Sequence, residues 1–590
     1  MKALSYLYCI CLLFLCTQSV GQNRYYVDES APGGNIGNSW SDAFTDLHFA
    51  LAVADSGDHI WVAAGTYKPG SDRDSSFALK SGISLYGGFA GTELTLSDRL
   101  TDSLNLFGLN ATILSGNIGN ANSADDNSYT ILLARDLAAE AIVDGLTIVE
   151  GQADVLENDS AHTSSNSFGG CMLIDNSDIR INDCVFRNSF ARKGAAIYSM
   201  NGAQAIISGS YFQGHSAKQG NAIFADSSDI TIQDCQFWDN LGFKKNTYGG
   251  AILIQRGGGV IQNSLFFDNQ AYYGAGILNL NTGNDTVHVT NCTFRDNLAN
   301  QMGGGILNWS ANNLTSHCSF SGHSIGETGI SREYGGGGIA VRNVSYTVID
   351  SCQFIDNQVE TLNNGQGKGG AIHILSQQNS TPILFNTVEI KNSYFHNNFA
   401  RSAGGLYVDT ATSLIMINCV VDSNRSNSDG GGMVVEVSDD VDIINCSFTK
   451  NLSFNGNGGG LYNRKGNIRV EQTLFRENVA IQDGGGLYTR NSQPTLIRCR
   501  FESNATPFGL GGALTNWFSD TRIDTCEFIN NAASDTNFLK IINPNAGVPG
   551  GGAIHNESAR ALIFGSYFEN NSSFRGGAIY NKGGSNPEIV

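Results

Sequence analysis

The sequence predicts an all-β parallel β-helix, a solenoid of short strands closed at its front by a helix. Two motifs that recur in register, together with an alternating apolar pattern, predict it. The first motif is a small triplet followed by Ile, Leu or Met, as in Gly249-Gly250-Ala251-Ile252 and Gly576-Gly577-Ala578-Ile579. Its apolar residue falls at 172, 197, 223, 252, 277, 306, 339, 372, 406, 433, 461, 487, 514, 554 and 579. The second is Cys-x-Phe-x-x-Asn, intact at Cys235-Phe237-Asn240, Cys292-Phe294-Asn297, Cys352-Phe354-Asn357 and Cys526-Phe528-Asn531. Its Phe position recurs fourteen times from 186 to 568, about 29 residues per step, and a fixed period of that size marks a solenoid. Stretches such as 229–237 alternate apolar and polar, the period of a strand with one buried face. Helical spacing is absent from the repeats, which excludes leucine-rich, ankyrin and tetratricopeptide arrays. Coils stacked at ~4.8 Å make the fourteen Phe positions a rod of roughly 65 Å.

The elements follow in chain order. Lys2 precedes an apolar run from Leu4 to Cys16, with small residues Ser19 and Gly21 near a cleavage point, so residues 1–22 read as a secretory signal peptide. The run is shorter than the ~20 residues of a membrane span, and no later stretch reaches that length. Residues 23–57 form an N-terminal cap. Within it Trp40, Ala43, Phe44, Leu47, Ala50, Leu51 and Ala54 keep helical spacing over 39–55, with Ser39 as the expected N-cap and Gly57 beyond the end. Such a helix covers the open edge of the first coil. The strand-like stretch Asp58 to Val62 then starts the ladder, 58–168 holds about four irregular coils, and 169–590 holds the regular ones.

Each repeated residue has a physical reason. Asn fills the third place after the Phe position in eleven of fourteen coils, where a turn accepts left-handed geometry and stacked amides exchange hydrogen bonds. The glycines permit a sharp corner and close approach of stacked backbones. Phe at one position builds an interior aromatic stack. Of thirteen Cys, three precede residue 22, and nine of the other ten sit two before the Phe position: 184, 235, 292, 318, 352, 419, 446, 499 and 526. Ser or Thr replaces them elsewhere, so the place asks for a small inward side chain. Bridges between adjacent coils (Cys419 with Cys446) are the alternative, disfavoured because stacked Cβ vectors run parallel.

Composition bounds the function. With 35 basic and 54 acidic residues the net charge is −19, which argues against nucleic acid as a partner. Gly at 71 of 590 and only 15% charged residues fit neither disorder nor collagen. Long insertions at 321–338, 355–371, 373–394 and 529–553 leave the coils, and loops on a rigid scaffold are where function collects. Gly322-His323-Ser324-Ile325-Gly326 matches the nucleophile-elbow pattern, which requires a strand–turn–helix setting. Gly214-His215-Ser216 repeats it at the same place, as a variant turn would. Asp239, Asp268 and Asp296 fall at one register position of three consecutive coils and are the candidate Ca²⁺ ligands. No catalytic residues and no other cofactor are assigned: zinc, P-loop and dinucleotide patterns are absent.

The paired small-small-small-Ile and Phe-x-x-Asn repeats of 169–590 resemble those of polymorphic outer membrane proteins. Tyr25-Tyr26-Val27-Asp28, Ser39-Trp40, Ala63-Ala64-Gly65-Thr66-Tyr67 and Tyr86-Gly87-Gly88-Phe89 resemble the start of secreted bacterial right-handed β-helix proteins. The resemblance implies a pectate-lyase-like right-handed β-helix, exported to the outer membrane surface or beyond. There it acts as an adhesin-like rod toward an extracellular polysaccharide or a host or neighbour surface protein. The alternative on the same fold is a polysaccharide lyase or glycoside hydrolase. No barrel follows the repeats, and counting on from Ile579 puts the next Phe position past Val590, so a truncated chain is expected.

Overall fold

A computed structural model describes residues 22–99, 110–154, 165–242, 247–326, 334–343, 345–359, 367–376, 386–410, 412–438, 440–533 and 550–590. The expected signal peptide, save its last residue, and much of the four insertions lie outside the described residues. The chain winds as a parallel β-helix. Three long sheets run its length, and every strand pair in them is parallel. The first sheet holds strands such as Asp229–Gln233, the second the Phe-position strands such as Gln236–Trp238, and the third the strands that follow the glycines, such as Ile252–Gln255. A fourth, narrower ladder of two- to five-residue strands follows the Asn turn.

The core is a set of columns. Phe186, Phe212, Phe237, Phe266, Phe294, Phe320, Phe354 and Phe395 stack face to face with centroids 4.6–4.9 Å apart. Val421 interrupts the column, which resumes from Phe448 to Phe568. Twelve of these rings, Phe186 through Phe528, are at most 1% exposed, and burying each contributes about 1.5–3 kcal/mol. The nine Cys and Cys171 are free and buried. Burial raises the thiol pKa of Cys171 and Cys235 to about 12, so they pack as small apolar groups.

The asparagines of the Asn column satisfy the side-chain polar atoms they bury. Asn269 Nδ2 donates to the Phe237 carbonyl (3.0 Å) of the preceding coil and to Asn297 Oδ1 (2.9 Å) of the next. Its own Oδ1 accepts from the backbone N–H and Nδ2 of Asn240. The pattern repeats from Asn398 through Asn424, Asn451, Asn478 and Asn504 to Asn531. Asp lacks the donors and Leu lacks everything, so the place selects Asn. His215 and His323 stand in with Nδ1, which accepts from Ser189 N (3.4 Å) and Asn297 N (3.1 Å). Their Nε2 atoms are buried without a partner. Burial lowers both pKa values to about 3, which keeps the rings neutral.

Four expectations need correction. The left-handed residue of this turn is the one before the Asn: Asp239, Asp268 and Asp296 have φ of 53–56°. The acidic row thus has a backbone cause, since Asp tolerates that conformation better than most residues. The helix α1 spans only Leu47–Val53, and its N-cap is Asp46, whose carboxylate accepts from His48 N. Ser39 instead accepts from Asp42 N, closing a turn. Residues 40–45 are drawn away from helix because Phe44 forms a parallel bridge to Val27 and Trp40 packs on Tyr26 and Phe89. Finally, the ladder starts one strand earlier than expected. β1 (Arg24–Val27) pairs with β2 (His59–Ala63), and α1 packs Leu47, Ala50 and Leu51 against the first coil's interior.

The glycine corner has two separate requirements. Gly458 has φ of +66°, and a Cβ there would stand 2.5 Å from the Leu461 carbonyl oxygen. Gly459 has no such φ, yet its Cβ would stand 2.5 Å from the backbone of the next coil at Gly485. One residue turns the chain and the next lets the coils close. Ala403, with φ of 57°, takes the turning role in its coil without being Gly.

Candidate binding groove on the outer face of the third sheet

Along each strand of the third sheet the first and third residues point inward, and the second and fourth point outward. The outward second residues form one column: Leu173, Tyr198, Phe224, Leu253, Leu278, Leu307 and Ala340, then His373, Tyr407, Val434, Tyr462, Tyr488, Thr515, His555 and Tyr580. Two further columns border it. One lies on the corner after the narrow ladder and includes Lys193, Lys368, Asp429 and Asp483. The other holds the fourth strand residues, including Asp226, Asp409, Glu436 and Glu557. Up to Ala340 the central column is an apolar cluster covered by Met302, Tyr248, Tyr273 and Trp309.

Ionisable side chains already border the early coils, where Lys193 and Arg256 pair with Asp226 beside Tyr198, and from residue 368 onward they multiply. Lys368 Nζ lies 2.9 Å from Asp409 and 4.3 Å from the Tyr407 ring centroid. His373 is buried beside them, with neither ring nitrogen hydrogen-bonded, and burial first, then Lys368, lowers its pKa to about 3. Tyr407 donates to Glu436, which also pairs with Arg464. Tyr462 and Tyr488 stack at 5.3 Å. At the last coils Lys582 pairs with Glu557 (3.2 Å), and burial lowers the neighbouring His555 to about 4.

Two carboxylates share the corner column. Asp429 Oδ1 accepts from Asn457 N (2.8 Å) and Nδ2 (3.0 Å), and Asp483 Oδ1 accepts from Leu510 N (2.8 Å). Asn457 sits between them, so they are two coils apart, roughly 9–10 Å at the strand spacing. Burial raises both carboxyls, Asp483 to about 6, because the backbone donors only partly offset desolvation. Asp483 lines a cleft of about 420 Å³ with Phe508, Leu510, Arg575, Tyr580 and Lys582. A carboxyl raised to about 6, two cations and two aromatic rings thus converge on one opening.

The residues singled out in the sequence lie elsewhere. Asp239, Asp268 and Asp296 line up on the turn between the second sheet and the narrow ladder; Asp268 and Asp296 are exposed, and Asp296 pairs with Arg295. Among the described residues, no three His, Cys, Asp or Glu side chains are grouped to hold a metal ion. Ser324 opens a two-residue strand and His323 is interior, so the Gly-x-Ser-x-Gly stretch is no strand–turn–helix elbow. Sequence reasoning passed over the outer column. The signal was available: eight of the fifteen residues that follow the glycine motif's apolar residue are His, Tyr or Phe.

The profile of the right handed beta helix region matches residues 145–320, 298–448 and 387–590, most of the chain. A Dictyostelium discoideum protein, the metabotropic glutamate receptor-like protein R, is 27% identical over 156 residues. That stretch is 26% of this chain and only 9% of the relative. No described helix is long and apolar enough to cross a membrane.

Proposed function

The chain belongs to the right-handed β-helix family, and from that premise we propose that it is an exported, non-enzymatic rod binding extracellular polysaccharide through the outer groove of its third sheet. The observation that carries this reading is the change of that face, beyond Ala340, from an apolar column to packed Tyr rings bordered by Lys368, Arg464 and carboxylates, which opens at the cleft of Asp483, Tyr580 and Lys582. Tyrosines and ion-paired side chains along a straight groove suit a repeating sugar chain, which offers a hydroxyl rim and an apolar face at each unit. Export by the N-terminal segment and display at a bacterial outer membrane, as in polymorphic outer membrane proteins, complete the proposal. A surface protein of a host or neighbouring cell is the other partner class for the same groove.

A second reading has one observation in its favour. Asp429 and Asp483 share a column, both raised, at a separation close to the ~6.5–9.5 Å used by inverting glycosidases. One experiment separates the readings. The chain from Asn23 is incubated with neutral and acidic polysaccharides, with and without Ca²⁺, while retention, reducing ends and unsaturated products are followed. Retention without products supports the rod. Reducing ends abolished by Asp483→Asn make it a hydrolase, and Ca²⁺-dependent unsaturated products lost in Asp268→Asn make the acidic row a metal site. Neither retention nor products overturns the polysaccharide reading.

A further inference from the structure

A second depression lies around the corner from the groove, where the third sheet turns into the first. The residue that follows each third-sheet strand there adopts left-handed φ in fourteen described coils: Asp136, Asn176, Asn201, Ser227, Arg256, Asn281, Ser310, Asn343, Val437, Lys465, Asn491, Phe518, Ser558 and Gly583. Asn, Ser and Gly fill most of these places because they tolerate the conformation. Phe518, with φ of 49°, is the one aromatic among them. A bulky residue there is an outlier, and such outliers collect where a site requires them.

Packing gives Phe518 no reason to be there. Its side chain is 55% exposed, touching the Trp517 ring edge-on at 6.1 Å, so the ring is presented to solvent rather than buried. It stands in a depression of about 760 Å³ whose other walls are polar: Asn491, Gln493, Asp520, Ser558 and Arg560. No hydrogen bond or ion pair to another described residue engages the side chains of Asn491, Gln493 or Arg560, and all three are exposed. Asp520 is held in place by accepting from Arg560 N (2.9 Å) through Oδ1. Gly583 and Gly584 form the far wall, and around Gly584 there is nothing within 4 Å of where a Cβ would be.

We infer that this depression is a glycan subsite, in which the Phe518 ring takes the apolar C–H face of a β-linked pyranose and the surrounding amides, carboxylate and guanidinium take its hydroxyls. One open ring bordered by unengaged hydrogen-bonding groups matches that chemistry. A protein partner would ask for a wider apolar patch. The inference rests on the reading of the rod as polysaccharide-binding and names a separate site for it.

Phe518→Asn tests the inference because strain and binding move in opposite directions. Asn is the residue that five other coils place at this corner, so the variant is expected to melt higher than the natural chain. Binding of cellohexaose, followed by calorimetric titration, is expected to weaken at least about tenfold. Gln493→Ala, which leaves the backbone alone, is expected to weaken it less, with no change in melting. Unchanged cellohexaose affinity in Phe518→Asn, or no cellohexaose binding by the natural chain, overturns the subsite. If polysaccharide retention by the whole rod persists in Phe518→Asn, the groove reading stands while the subsite falls. If the natural chain retains no polysaccharide at all, the broader reading has failed first.

Discussion

The Phe column inside the rod and the outward column of the third sheet are both written once per coil, yet only the first repeats its residue. Thirteen of fourteen Phe positions are Phe, while the outward column passes through Leu, Tyr, Phe, Ala, His, Val and Thr. An interior residue meets mainly its own copies above and below, so one answer serves every coil. An outward residue meets the neighbouring corner and the fourth strand residue, which cover it, and each coil solves that differently. Uniformity marks the scaffold, and variety marks the face whose packing changes from coil to coil.

The comparison can be broken most forcefully inside. Asn451→Leu leaves the Val421 carbonyl, the Asn424 amide and the Asn478 carboxamide oxygen with fewer partners, and a loss of about 4 kcal/mol is expected in denaturant unfolding. Tyr462→Leu, on the outward column, is expected to remain below about 1.5 kcal/mol. Equal losses would erase the distinction.

The two His exceptions to the Asn column sharpen it through pH. Their folded pKa values near 3 lie below the ordinary 6.5, so between those values the unfolded chain binds more protons. Their stabilising contribution is therefore full above about 6.5 and falls as pH drops toward 3, by up to about 4 kcal/mol each. The double variant His215→Asn, His323→Asn is expected to gain about 1–3 kcal/mol at pH 7 and to lose less on acidification, measured by urea midpoints across pH. His373 and His555 keep the remaining slope, since burial lowers them too.

Asp483 runs the other way. Its folded pKa of about 6 exceeds the ordinary 3.8, so the folded state holds the extra proton and stability falls as pH rises from about 4 to 6. Asp483→Asn keeps an oxygen for the Leu510 amide, and is expected to gain about 1–3 kcal/mol at pH 7 and to flatten that window. The smallest effect is at the glycine corner. Ala403→Gly is expected to add about 1 kcal/mol, because Ala there holds a conformation that Gly adopts without strain.

Much of the fold was legible because stacking copies the same constraint along the chain. The Phe, Cys and Asn positions can be read in register, and each lands in its interior column. Local competition hid the rest. Trp40, Ala43 and Phe44 keep helical spacing, yet Phe44 is claimed by the bridge to Val27. The acidic row looked like a ligand set because left-handed backbone and metal binding both favour Asp. The groove residues were hidden for a deeper reason, since a column whose residue changes from coil to coil leaves no period to detect. Only the stacking of the coils brings Asp429, Asn457 and Asp483 into one line.

The account rests on the third sheet's outer face as the binding surface. Hydroxyl-radical footprinting of the full chain with and without a retained polysaccharide tests that most directly. Protection is expected at Trp309, Trp517 and Tyr580 along that face, with no change at Tyr346 on the first sheet or Tyr567 on the second. Protection confined to Tyr346 and Tyr567, with the third sheet unaltered, would contradict it.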